Sequence, residues 1–189
     1  MEVPKAISNL RLRMAFRGHA VDVLDCVETK SEEVVYVVDD DELKVSRFAD
    51  AEALLSGCFV GINPAERDLH LLSIDNKLVK SPAGGIADCA LFHADLFALI
   101  EFKSNAEGNS LESVVYTYEK AITQLEHTLN IFRAKLTAIG IDFLRATEIV
   151  CHVVVAPIFP RRSAMEMNYS LAFAMRNGVE LSFDNQRSF

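Results

Sequence analysis

Three charged side chains, Asp88, Glu101 and Lys103, stand out in a stretch of this chain that is otherwise nearly all apolar. Strands are expected over residues 86–92 and 96–103, with His93-Ala94-Asp95 between them. If Ala94 and Asp95 form a two-residue turn, His93 faces Leu96 and Asp88 falls directly opposite Glu101. Side chains alternate along a strand, so Lys103 shares the face of Glu101. Directly opposed Cβ atoms lie about 4.5–5.5 Å apart, and two carboxylates that close repel unless a cation sits between them. Mg2+ suits such a place, because one or two carboxylates and a substrate phosphate commonly hold it while it keeps several waters. A lysine beside the ion can orient or deprotonate an attacking water, or stabilise charge developing on phosphorus. Ala-Asp is not a favoured hairpin turn, and a one-residue slip would send Asp88 to the other face. The plainer alternative makes Asp88 a turn residue and Glu101 and Lys103 the place where a strand emerges into water. Against it, a lone acid in so apolar a run is costly unless paired.

Other candidates carry less chemistry. His19, His70, His93, His127 and His152 show no metal-ligand spacing; His152 in its valine run is expected to be a satisfied core histidine, and His93 an exposed turn residue. Cys26, Cys58, Cys89 and Cys151 lie far apart in apolar surroundings and read as buried thiols of a reducing cytosol. No G-x-S-x-G occurs, and Gly84-Gly85 lacks the Lys-Ser/Thr of a phosphate loop. Tyr116 and Tyr118 are expected to pack rather than to stack on bases, the acidic run 39–42 to be a solvated turn, and Arg161-Arg162 to be an exposed loop.

The elements that must position the triad follow from periodicity. Residues 11–28 alternate like one or two strands, and 34–38 and 43–48 continue an N-terminal antiparallel meander. Asp50 is placed to cap a short helix over 51–55, which Ser56-Gly57 ends. A strand is expected over 69–74, a turn at Asp75-Asn76, and a break at residues 81–85. Both strands of the central hairpin are apolar on both faces, as in a covered sheet. A long helix is expected over 111–139, opened by a capping box of Asn109 and Glu112 and stopped at Gly140. Its stripe runs Leu111, Val114, Tyr118, Ile122, Leu125, Leu129, Phe132 and Leu136. A buried strand over 148–156 follows. A second helix, with Ser163 and Glu166 as its box, runs to Asn177-Gly178, and a last strand covers 179–183.

Asp88, twelve residues, then Glu101-Phe102-Lys103 resembles the signature of the PD-(D/E)XK, or restriction-endonuclease-like, nucleases. Their common core is a helix, three antiparallel strands, a helix and a further strand, and the order expected from 51 to 156 is similar. Gly84-Gly85-Ile86-Ala87 resembles the small-residue lead into the first acid, without a proline immediately before Asp88. The resemblance implies that Asp88 and Glu101 bind a divalent metal, with the Phe102 carbonyl as a further ligand, and that Lys103 serves the water. It also implies a role for Gln124 on the following helix, where Thr128 stands in place of the tyrosine often found four residues on. An acid on the first helix sometimes completes such a site; Glu52 is the candidate by position, and Glu66 an outside choice.

The chain has 189 residues, half of them apolar, which suits one domain with its own core. The expectation is a single unit, residues 1–189: a β extension over 1–49, a nuclease-like core over 50–156, and a C-terminal helix and strand over 157–189. The fold class is α+β, a restriction-endonuclease-like mixed sheet flanked by helices with an N-terminal antiparallel β-meander. A net charge of −8 is the wrong sign for a nonspecific grip on phosphates. A local groove is left to Lys77, Lys80, Lys103, Lys120, Arg161 and Arg162. No signal peptide or membrane span is evident, so a cytoplasmic protein is expected. The function that follows is Mg2+- or Mn2+-dependent hydrolysis of phosphodiesters, with DNA as the expected substrate. Asp88, Glu101, Lys103 and Gln124 carry it. The alternative is a non-catalytic nuclease-fold module, or a structural subunit that pairs with a partner or a second copy.

Overall fold

The computed structural model describes residues 5–51, 57–80, 85–106, 108 and 110–189. Strands β1 (Val27–Lys30), β5 (Leu69–Ser73), β6 (Cys89–Phe92), β7 (Leu96–Lys103), β8 (Glu148–Val155) and β9 (Glu180–Ser182) form a mixed sheet in the order β1-β5-β6-β7-β8-β9. A second mixed sheet runs β10-β4-β2-β3, built from β2 (Val34–Asp40), β3 (Val45–Ala49), β4 (Phe59–Ile62) and β10 (Gln186–Ser188). The fold is α+β, two mixed sheets flanked by helices.

The central sheet is covered on both faces, which explains its unbroken apolar strands. Leu69, Leu71, Cys89, Leu91, Ile100 and Phe102 meet Val35, Val37, Phe48 and Phe59 of the smaller sheet. On the other face Leu72, Ala90, Phe92, Phe97, Leu99 and Val153 meet the stripe of α3 (Leu111–Thr137). Phe132 of that stripe packs among Phe16, Phe97 and Phe143. Gly61 on β4 lies in the seam between the sheets, where a Cβ would come within 2.7 Å of Val35 and 2.9 Å of Leu91.

Several expectations need correction. Residues 11–28 are not strands before Val27: after α1 (Lys5–Asn9), the segment holds α2 (Leu12–Ala15) and a 3-10 turn over Val23–Cys26. The alternation of Arg13, Ala15 and Arg17 suggested a strand, but burial follows Leu12, Ala15 and Phe16 at helical steps, while Met14 is exposed. β1 therefore leaves the expected meander and pairs antiparallel with β5. Of that meander the β2–β3 hairpin remains, and β2 also pairs with β4. β4 and β10 were not expected: β4 is short and holds Gly61, and β10 is polar. Pairing with β4 and the ion pairs of Arg187 with Glu148 (2.7 Å) and Glu180 (3.0 Å) hold β10 in place. The helix expected over 51–55 falls mostly on residues 52–56, outside those described, as does most of the break at 81–85. His93 is buried, not exposed; its Nδ1 accepts the Asp95 N–H at 3.1 Å and its ring meets Phe189 edge-on.

The helix caps shift too. Asn109 lies outside the described residues, and the box that opens α3 pairs Ser110 with Ser113 (3.1 and 3.0 Å) rather than using Glu112. After the Gly140 stop, Asp142 caps a short α4 (Phe143–Ala146) that was not expected. The N-cap of α5 (Ser163–Asn177) is Arg162, which makes no side-chain cap bond; of the expected box only the acid half forms, Glu166 Oε1 accepting the Arg162 N–H at 3.3 Å. Glu166 also turns inward, accepting the Tyr118 hydroxyl at 2.5 Å and Arg161 at 2.7 and 2.9 Å. Burial works against its charge, yet these donors hold its carboxyl below the ordinary range. Glu166→Ala strands the buried Tyr118 hydroxyl and is expected to cost about 1–3 kcal/mol, measured by urea unfolding. A cost within error would mean that the pairing contributes nothing.

Candidate active site

The β6–β7 hairpin has the register that the two-residue turn requires. Cys89 pairs with Ile100, Leu91 with Ala98 and Phe92 with Phe97, and the His93 N–H donates to Leu96 O at 3.0 Å. Continued by one step, that ladder sets Asp88 against Glu101. The chain does not continue as a strand there, however. Residues 85–87 peel from β7 toward α3, which holds them by three successive backbone groups. Gly85 O takes the His127 Nδ1–H at 2.8 Å, Ile86 O takes the Gln124 amide at 3.1 Å, and the Ala87 N–H donates to Thr128 Oγ1 at 2.7 Å. Positions 124, 127 and 128 line one helix face, so a single helix edge grips the lead into Asp88. Gly85 has φ +73°, and a Cβ there would lie 3.0 Å from Gln124 Cγ. With the ladder interrupted, Asp88 Oδ2 accepts the Phe102 N–H at 2.6 Å.

Glu101 is buried, and Lys103 Nζ pairs with its Oε1 while donating to Gln124 Oε1 at 2.9 Å. Gln124 thus joins the lysine to the segment before Asp88. Glu101 Oε2 has no hydrogen-bond partner among the described residues although it is buried. Of the other sites expected, Phe102 engages Asp88 through its N–H. Glu52 lies outside the described residues. Glu66 sits in an exposed turn after β4. Arg161, a candidate for the basic groove, is committed to Glu166.

Three acids not expected here from the sequence join Asp88. A cavity of about 210 Å3 is lined by Asp39, Asp41, Asp75 and Asp88, with Lys44 and Ser46. Asp39 belongs to the run expected as a solvated turn, but the parity of Val35 and Val37, both buried against the larger sheet, carries it inward. Asp75 likewise continues the parity of Leu69, Leu71 and Ser73. Both facing rows end in carboxylates where the seam opens. Burial, then Asp39, pushes the Asp88 carboxyl up to about 7. Burial, then Asp88, raises Glu101 well above its usual range against the pull of Lys103. Burial, then Asp41 and Asp75, raises Asp39.

The site is therefore short of positive charge. Among the described residues, no three His, Cys, Asp or Glu side chains converge into a cage that would hold a metal unaided. The donors still fit Mg2+ or Mn2+, which need only one or two carboxylates when waters complete the shell. The unpartnered Glu101 Oε2 and the crowded Asp88 are oxygen ligands of the right kind. Comparison with protein-family models, with curated proteins and with solved structures gives no match.

Proposed function

We propose that this chain is a metal-dependent phosphodiesterase of restriction-endonuclease-like architecture that cleaves DNA, working in a reducing cytoplasm. The observation that carries the reading is the buried Glu101 Oε2, left without a partner among the described residues, with Lys103 beside the same carboxylate and Asp88 held on the Phe102 N–H at the end of the same hairpin. A divalent ion bound there supplies a nucleophilic water near neutral pH and offsets charge developing on phosphorus. Asp88 and Glu101 hold the ion. Lys103, held as the ammonium partner of Glu101, positions the water and offsets developing negative charge, and Gln124 fixes the lysine against the segment 85–87. The four cysteines are free and buried, consistent with a reducing setting. Among the described residues no helix is long and apolar enough to cross a membrane.

The test is calorimetric binding of Mn2+, paired with cleavage of single- and double-stranded DNA and RNA. Wild-type protein is expected to bind the ion and cut at least one strand type. Asp88→Ala and Glu101→Ala are each expected to abolish both. Ion binding unchanged in both variants would sink the proposal.

A second reading, a non-catalytic interaction module, is favoured by one feature. Met167, Leu171 and Met175 form an exposed apolar stripe along α5 at four-residue steps. Such a module would ignore Asp88→Ala and lose partner binding with Leu171→Glu.

A further inference from the structure

Next to the acidic cavity lies a second opening, of about 360 Å3, whose wall includes Asp39, Lys103, Asn105, Tyr116, Thr117 and Lys120. Asp39 lines both openings, so the two are neighbours that meet at that residue. Two of its wall residues project from α3 one turn apart: Tyr116 at 67% exposure and the exposed Lys120. The contrast with Tyr118, fully buried two positions on, shows that the ring of Tyr116 is not needed for packing. From outside inward the opening thus presents an aromatic face, an ammonium group, and then Lys103 beside the carboxylates.

From this order we infer that the cleft binds single-stranded nucleic acid, with a base stacked on Tyr116 and the adjoining phosphate at Lys120. The inference rests on the proposed phosphodiesterase reading for its direction, because the strand would run from Tyr116 toward Lys103 and Asp88. An exposed ring stacks on a base whose face is free, and base faces in a duplex are covered by their neighbours. The charge distribution points the same way. A chain of net charge −8 with two lysines in the cleft lacks the cations for an extended duplex backbone. Affinity must come chiefly from stacking and little from counterion release. For a strand meeting two lysines, the logarithm of affinity should fall with the logarithm of salt at a slope of about −1.4.

The experiment is fluorescence anisotropy with a labelled oligothymidylate and the matching duplex, using the full chain with Ca2+ in place of Mg2+. The single strand is expected to bind more tightly than the duplex. Tyr116→Ala should weaken binding about fivefold to a hundredfold, while Tyr116→Trp should retain it. Lys120→Ala should reduce the salt slope by about 0.7. Equal affinity for duplex and single strand, or no response to Tyr116→Ala, overturns the inference. Binding that depends on Tyr116 without cleavage of any strand refutes the proposed reaction and leaves the cleft assignment standing. Cleavage indifferent to Tyr116 does the reverse.

Discussion

Lys103→Met is expected to lower DNA cleavage by about 10²–10⁴-fold and also to destabilise the fold. The stability loss arises because Glu101 is buried and Lys103 is its only hydrogen-bond donor among the described residues. Removing one partner of a buried pair costs about 3–5 kcal/mol. Here that figure is an upper bound, since Glu101 can take up a proton instead. The destabilisation should therefore be larger at pH 8 than at pH 5. Loss of rate alone could reflect partial unfolding, so the double variant Glu101→Gln/Lys103→Met is the decisive comparison. Exchanging both charges for neutral groups of similar volume is often neutral or stabilising. The double variant is expected to recover the denaturant midpoint of wild type and to remain inactive. Recovery of cleavage together with stability would show that the pair is structural and that the chemistry lies elsewhere.

The second large effect concerns acid. His152 was expected to be a satisfied core histidine, and it is only half satisfied. Its Nδ1 must carry the proton, because the Asp184 carbonyl 3.0 Å away can only accept, and Nε2 is buried without a partner among the described residues. Burial lowers its pKa from 6.5 to about 4. Above pH 6.5 the ring is neutral in both folded and unfolded chains, and the stability it contributes is fully present. As pH falls toward 4 only the unfolded chain takes the proton, and on the order of 3 kcal/mol is lost. Asp88 acts in the opposite sense, since its raised pKa favours the fold below about 7. Wild type alone would thus show a muted dependence. The informative quantity is the difference between wild type and His152→Leu in urea midpoint at pH 7 and pH 4.5. The variant should be relatively more stable at the lower pH, and a difference independent of pH would rule out a titrating His152.

What could be read in the chain divides along physical lines. β7 begins and ends where its composition indicated, and α3 is shorter than expected by two residues at its C-terminal end. Long runs packed on both sides allow few alternatives. The hairpin register was legible because the two strands flank a short turn. The N-terminal helices were not, since a buried Ala15 between two arginines imitates strand alternation in so short an element. β4 and β10 owe their conformation to partners distant in sequence. Asp39 illustrates the same limit inside the site. Its parity with Val35 and Val37 was visible, but the facing row that makes inward parity consequential belongs to another sheet. Asp75 reads in the chain only as the start of a turn. The roles of Gln124 and Thr128 in gripping residues 85–87 needed a geometry that no spacing within α3 discloses.

That grip has a consequence for which letters of the sequence matter. Because the helix seizes main-chain atoms, the path into Asp88 is dictated by side chains located some forty positions downstream. With the backbone held in this way, position 87 needs no stiff side chain to fix that path. Apart from the constrained Gly85, substitutions among the lead residues that respect their burial should leave the aspartate where it is. A single change at Thr128 should move it.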